Sequence, residues 1–301
     1  MREARQSAFK NAELPCHARS EILRPAVRQY ISKENIGKDG LLFVSGKDFR
    51  YLRSVLRVKP GDMIHVRLPD NALQAMTVCA VDEKAKKISM QICGITSAEQ
   101  DGENLPKETD AIESCELTLF MAVPKSSKFE LIVRQATECG VARIVPVKTE
   151  FSQAGAEKMN FNSERFGRII KEARQQSGSP VNTKITERRT LTEAAELWQS
   201  ETRHLAESEK LAVVLYERND STVSIFEASE KMRSQQNQPA LENSARPKKI
   251  ALFCGSEGGI SPDEIKILQG AGFTAVHLKT NILRCETAAL YGIAAIQSSI
   301  N

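Results

Sequence analysis

Phe253-Cys254-Gly255-Ser256-Glu257-Gly258-Gly259 runs directly into Ile260-Ser261-Pro262-Asp263-Glu264, and Leu278-Lys279-Thr280-Asn281-Ile282-Leu283-Arg284-Cys285-Glu286-Thr287-Ala288-Ala289 follows soon after. Each stretch has the form apolar strand, tight polar loop, helix. Two such loops at the same ends of neighbouring strands build a pocket in an α/β domain. In the first loop, Gly255, Gly258 and Gly259 allow backbone to approach a ligand closely. Ser261 and Glu264 have the spacing of a capping box, with Pro262 at the first helical position, so a firmly started helix leaves the loop. The G-x-x-G-G spacing is neither a dinucleotide fingerprint nor a phosphate loop. A plain strand-to-helix turn is the bland alternative. The second loop mixes apolar Ile282 and Leu283 with charged Arg284 and Glu286. That suits a ligand with a flat apolar base and a charged tail; a surface ion pair between Arg284 and Glu286 is the competing reading.

Working back along the chain, residues 117–123, 141–147, 211–216 and 249–254 are apolar runs of strand length, and residues 275–278 form a shorter one. Residues 129–139, 191–205, 261–269 and 286–296 carry helical spacing, and Phe166, Ile169, Ile170 and Ala173 mark a further helix. Alternating strands and helices predict a mostly parallel sheet with helices on both faces. Residues 233–247, rich in Gln, Asn, Pro and Ser, read as a flexible surface loop.

The amino-terminal third has a different period. Residues 63–67, 75–81 and 88–92 alternate apolar and polar, and residues 41–44 form a short apolar strand, which predicts a small barrel or sandwich. Residues 48–58 read as one helix, with Arg50, Arg53 and Arg57 sharing a face. These arginines, with Arg28, are candidate phosphate contacts; a solvated helix face is the alternative. Residues 28–95 hold 12 Lys/Arg and 7 Asp/Glu, a net +5 against +4 for the whole chain. A basic small β domain is a candidate nucleic-acid module. Residues 96–113 carry six acidic residues against one lysine and read as a solvated linker. Residues 1–26 show no sustained periodicity and read as a mobile extension, with the natural start expected near Val27.

Composition narrows the classes. Hydrophobic content is 41% over 301 residues, and no apolar run approaches the roughly 20 residues of a membrane-spanning helix. The first 26 residues lack the apolar core of a secretory signal. Seven cysteines without a C-x-x-C pair fit reduced thiols in a cytoplasmic protein and disfavour a metal site. The four histidines are scattered, which disfavours a His-based triad. Aromatic content of 5% gives no sign of a stacking platform for single-stranded RNA.

The two carboxyl-terminal loops together resemble the signature of the RsmE-type methyltransferases of the SPOUT superfamily. That family methylates N3 of a uridine in small-subunit (16S) ribosomal RNA. The resemblance extends over most of the chain. Val27-Arg28-Gln29-Tyr30 is similar to the family's start, and Val55-Leu56-Arg57-Val58-Lys59-Pro60-Gly61-Asp62 to its PUA-like RNA-binding domain. Pro124-Lys125, Ala136-Thr137-Glu138-Cys139-Gly140-Val141, Pro146 and Gln176-Ser177-Gly178 also follow its pattern. Departures stand at Ser256 (usually Pro), Lys279 (usually Gly), and Phe151 and Ser179 (both usually Arg).

The resemblance implies a PUA-like domain over residues 27–95 and a SPOUT domain with a deep trefoil knot over residues 114–301. It implies a homodimer acting on 16S rRNA in the small ribosomal subunit, with no membrane partner. S-adenosyl-L-methionine would be bound by Leu215, Gly255, Glu257, Gly258, Gly259, Leu278, Asn281, Ile282, Leu283 and Arg284. Arg284 and Glu286 are the expected catalytic pair: Arg284 steadies the uracil oxygen, and Glu286 orients Arg284 or takes the proton. The departures keep two alternatives open, a catalytically weakened RNA-binding or ribosome-assembly protein and a transfer-RNA-directed enzyme of the same fold.

Overall fold

The computed structural model describes residues 29–93, 115–152, 158–218, 222–234 and 247–300. The expected extension over 1–26, Arg28, the acidic linker and the middle of the 233–247 loop lie outside the described residues. Arg233 and Ser234, expected in that loop, instead close a helix.

Five strands form the amino-terminal sheet: β1 (Gln29–Ile31), β2 (Leu41–Ser45), β3 (Met63–Arg67), β4 (Leu73–Asp82) and β5 (Lys87–Ile92). Their order is β1-β3-β4-β5-β2, with β1 parallel to β3 and the other pairs antiparallel. Alternation turns Met76, Val78, Ile88 and Met90 inward, where they pack with Leu42, Val44 and Leu52. The single helix expected over 48–58 is two pieces, a helix α1 (Gly46–Arg50) and a π-helical segment over Tyr51–Leu56. The segment ends with Arg57 in the left-handed region at φ 58°, its N–H reaching back to the Leu52 carbonyl. The wider turn breaks the 3.6-residue register, so Arg50, Arg53 and Arg57 do not share a helical face.

The second sheet has seven strands: β6 (Glu116–Ala122), β7 (Arg143–Lys148), β8 (Lys184–Ile185), β9 (Arg189–Thr190), β10 (Lys210–Leu215), β11 (Lys249–Cys254) and β12 (Thr274–Val276). The main path runs β12-β10-β11-β6-β7-β8, with β9 also on β7, and every pairing along it is parallel. The helices are α2 (Ser126–Glu138), α3 (Glu164–Ser177), α4 (Leu191–Thr202), α5 (Ile225–Ser234), α6 (Pro262–Gly270) and α7 (Cys285–Ile300). Successive strand residues serve opposite faces. Leu117, Leu119 and Met121, with Ile250 and Leu252, pack with residues of α2, α3, α5 and α7. Phe120, Ala122, Ala251 and Phe253 pack with residues of α4 and α6. The second face is fastened by aromatic rings, with Phe120 stacked on Phe253 at 6.4 Å and edge-on to Phe273 at 5.9 Å. No helix among the described residues is long and apolar enough to cross a membrane. The six described cysteines are free thiols.

Polar contacts join the two sheets' domains. Gln29 on β1 donates to the carbonyls of Arg174 (3.1 Å) and Ser179 (3.2 Å), and accepts from Arg67 Nε at 2.8 Å. Lys171 on α3 pairs with Asp48 of α1 at 3.0 Å. All three partners of the first group are buried, so these hydrogen bonds cannot be exchanged for water without opening the interface.

Gly292 of α7 packs closely on the sheet: an added Cβ would lie 3.1 Å from the side chains of both Leu215 and Leu252, which would have to give way. Gly292→Val is therefore expected to lift α7 off the sheet and cost about 1–3 kcal/mol. Urea unfolding measures this, and an unchanged midpoint and slope would contradict it.

Candidate active site

Parallel strands bring β6, β10, β11 and β12 to one edge, and the loops that follow them converge there. Tyr216 donates its N–H to the Val276 carbonyl, and in the segment after β10 Val223 donates its N–H to the Ala275 carbonyl and accepts from the His277 N–H. Thr222 Oγ1 and His277 Nδ1 add a side-chain bond at 2.8 Å. The glycine loop after β11 folds tightly on itself. A Cβ on Gly255 would lie 2.8 Å from the Gly259 backbone, and one on Gly258 would lie 2.6 Å from Phe151 Cβ. Gly259 has φ +75°, a conformation that only glycine adopts without strain, and it faces the Glu217 carboxylate. The capping box forms as its spacing predicts: Ser261 accepts from the Glu264 N–H, and Glu264 accepts from the Ser261 N–H.

The loop over residues 278–284 offers unused donors. Among the described residues, the backbone N–H groups of Asn281, Ile282 and Leu283 find no hydrogen-bond partner. Ile282 is 89% exposed, an unusual state for a large aliphatic side chain. A loop presenting free N–H groups beside apolar Ile282 and Leu283 matches a purine, whose ring nitrogens accept hydrogen bonds and whose faces are apolar.

The charged groups arrange differently from the sequence reading. Arg284 is exposed, and among the described residues its side chain has no partner. The expected pairing of Glu286 with Arg284 does not form. Glu286 pairs instead with Lys128 on α2 at 3.3 Å, and the same ammonium lies 3.5 Å from Glu257. Glu257 also accepts from the Lys125 N–H at 3.3 Å. The reason is geometric: α2 begins just after β6, beside β11, and reaches Glu286 before the exposed loop side chain can. Partial burial pushes the Glu286 carboxyl up, but its own backbone N–H, the Cys285 thiol and Lys128 outweigh that and hold it below the usual glutamate range. Desolvation pulls Lys128 down, but Glu286 and the neighbouring negative groups hold it above the usual lysine value. Cys285 donates to Glu286 at 3.3 Å, and its thiol is pushed up to about 12, first by burial and then by that bond.

The remaining sequence candidates divide. Leu215 ends β10; Gly255, Glu257, Gly258 and Gly259 lie in the loop after β11, and Leu278, Asn281, Ile282 and Leu283 in the loop after β12, on the other side of β10. In the amino-terminal sheet, Arg50 and Arg57 are exposed. Arg53 is committed to Glu83 at 2.6 Å and to the Val58 carbonyl at 2.9 Å. Two side chains escaped the sequence reading. Lys128 and Glu217 stand at the first turn of a helix and just past a strand, positions that carry no motif of their own. The departures cluster: Ser256 Oγ donates to the Phe151 carbonyl at 2.7 Å, and Phe151 is the side chain that Gly258 clears. Lys279 is exposed, and its charge assists the Ser224 bonds that hold Glu227 below the usual range.

Residues 112–297 match the family model described as an RNA methyltransferase domain. The chain belongs to that family. Among its relatives, ribosomal RNA small subunit methyltransferase E 2 of Borreliella burgdorferi is 24% identical, over 89% of this chain and 96% of that protein. Ribosomal RNA small subunit methyltransferase E of Rickettsia conorii is 25% identical, over 90% and 94%. The crystal structure of the Neisseria gonorrhoeae ribosomal RNA small subunit methyltransferase E, bound to S-adenosyl methionine, superposes with a TM-score of 0.62 at 21% identity, covering 90% of this chain and 97% of that one. The fold of this family member is thus shared with a solved relative over 90% of the chain.

Lys128→Met removes the cation between two carboxylates. The Glu286 titration midpoint is expected to move upward, so that the carboxylate becomes protonated at higher pH than in the parent. Carboxyl-carbon NMR titration checks this; an unmoved midpoint would show that Lys128 does not hold Glu286 ionised.

Proposed function

We propose that this protein transfers a methyl group from S-adenosyl-L-methionine to N3 of a uridine in 16S ribosomal RNA of the small subunit. The observation that carries the proposal is the loop whose backbone N–H groups at Asn281, Ile282 and Leu283 have no partner among the described residues, at the same strand edge as the tight glycine loop after β11. Those donors would hold the adenine, and Leu215 and Leu278 would line its base. The tight turn through Gly255, Gly258 and Gly259 would set the path of the backbone beside the methionine portion, with Glu217 and Glu257 at hand for the cofactor's ribose hydroxyls and ammonium. When bound, the cofactor supplies an already activated methyl on a sulfonium, so placement is the main demand on the protein.

Uridine N3 keeps its proton at neutral pH, so either a base must remove it or a cation must favour the anion. Arg284, exposed at the mouth of the loop, is free to meet a uracil oxygen and stabilise charge as it develops. Glu286 is held ionised by Lys128, which leaves it able to accept the N3 proton directly or through water but makes it a weaker base, so charge stabilisation by Arg284 is the larger demand. Orienting Arg284, the role expected first for Glu286, has no support in the contacts it makes.

The amino-terminal sheet is assigned as a PUA-like RNA-binding domain over residues 27–95, with Arg28, Arg50 and Arg57 as phosphate contacts and residues 96–113 as its linker. Residues 114–301 are assigned as a SPOUT domain. A trefoil knot is supported by the position of β10 between β12 and β11, and by the bonds that clasp the segment after β12 to the one after β10. A homodimer working in the cytoplasm, where ribosomal subunits mature, completes the reading.

Arg284→Ala is expected to lower methyl transfer to unmethylated small subunits at least 100-fold while leaving cofactor affinity within a few-fold, since removing one charge-stabilising group costs about 10²–10³ in rate. A radiolabelled methyl-transfer assay and calorimetry separate the two. Unchanged turnover would remove Arg284 from the mechanism, and no cofactor binding by the parent would overturn the function itself.

A further inference from the structure

A cleft of about 520 Å³ opens between the amino-terminal sheet and α3, far from the loops described above. Its charged lining is all of one sign: Arg67, Lys171, Arg174 and Lys184 face it, with no acidic residue among the lining side chains. Lys171 is balanced by Asp48. Arg174 is not balanced. It is 6% exposed, and its acceptors among the described residues are all neutral: the carbonyls of Ser179 (3.4 Å) and Pro180 (3.0 Å), and the side-chain oxygens of Asn182 (3.1 Å) and Asn71 (2.9 Å). A buried guanidinium held only by neutral groups is costly unless an anion completes it. Burial first, and the charge of Arg67 second, pull the Arg174 pKa down to about 10, so the site resists further positive charge and welcomes negative charge.

We propose that this cleft is an anion subsite that seats a phosphodiester of the RNA substrate between the two domains. The position argues for a separate contact. Lys184 pairs in register with Arg143 at the first residue of β7, whereas the methylation loops follow the last residues of their parallel strands. A six-residue strand spans roughly 20 Å, so one nucleotide cannot occupy both places. The cleft would therefore grip a neighbouring part of a folded RNA. This rests on the reading of RNA as the substrate.

Asn182→Asp tests it with opposite signs. Asn182 and Asn71 are exposed, so the isosteric carboxylate is tolerated there, and it gives Arg174 the counter-charge it lacks. Thermal stability is expected to hold or rise. Affinity for purified small-subunit ribosomal RNA, measured by filter binding, is expected to fall about tenfold, and the salt slope to lose about one unit. Lys184→Ala should weaken binding in the same direction without a change in melting temperature. Unchanged affinity and slope in both variants would overturn the subsite, and so would a loss of RNA binding matched by a loss of stability in Asn182→Asp with Lys184→Ala binding as the parent does. Calorimetry with inorganic phosphate and with uridine monophosphate separates the sources: micromolar binding of either would reassign the cleft to a small free anion and overturn the RNA assignment. Cofactor binding on the same samples keeps the two readings apart. A parent that binds neither cofactor nor RNA fails both, whereas a parent that binds both while Asn182→Asp binds RNA equally well fails only the cleft.

Discussion

The Lys128 ammonium lies between Glu257 and Glu286, and the working end of the molecule is organised around that position. Glu257 belongs to the loop after β11 and Glu286 to the first turn of α7. Two like charges brought to one place repel, and a cation between them offsets that repulsion. A single lysine on α2 therefore ties the glycine loop to the start of α7 and helps hold the Glu286 carboxylate below the usual range. The sheet beneath supplies the geometry, since parallel strands deliver all these segments to one edge and leave their backbone groups unspent there.

Packing supports this arrangement from both faces. The aromatic contacts of Phe120, Phe253 and Phe273 hold α6 to one side of the sheet, and the close fit at Gly292 holds α7 to the other. Both helices begin in the loops that carry the candidate site, so tight core packing converts directly into positional accuracy for Glu257 and Glu286.

What was legible in the sequence follows the range of the interactions. The strands of the second sheet stood out because buried parallel strands are continuous apolar runs, and the start of α6 stood out because its capping box closes within four residues. The split of the predicted 48–58 helix was hidden, since a π-helical turn leaves no mark on the apolar spacing. The fate of Arg53 was hidden because Glu83 lies thirty residues away. Lys128 was missed for the same reason on a larger scale: its partners come from the far end of the chain, and nothing local distinguishes it from a solvated lysine. The departures at Ser256 and Phe151, far apart in the sequence, meet in space: the Ser256 hydroxyl donates to the Phe151 main-chain carbonyl.

Glu264 serves two elements at once. One carboxylate oxygen accepts from the Ser261 N–H at the start of α6, and the other accepts from the Glu150 N–H at 2.7 Å, in the segment after β7. Those two segments are more than a hundred residues apart, yet neither can fray without breaking bonds to the same side chain. The glycine loop and the Phe151 segment should thus open as one cooperative unit, with a shared free energy of opening and matched hydrogen-exchange protection. Access to the pocket would then be an all-or-none event.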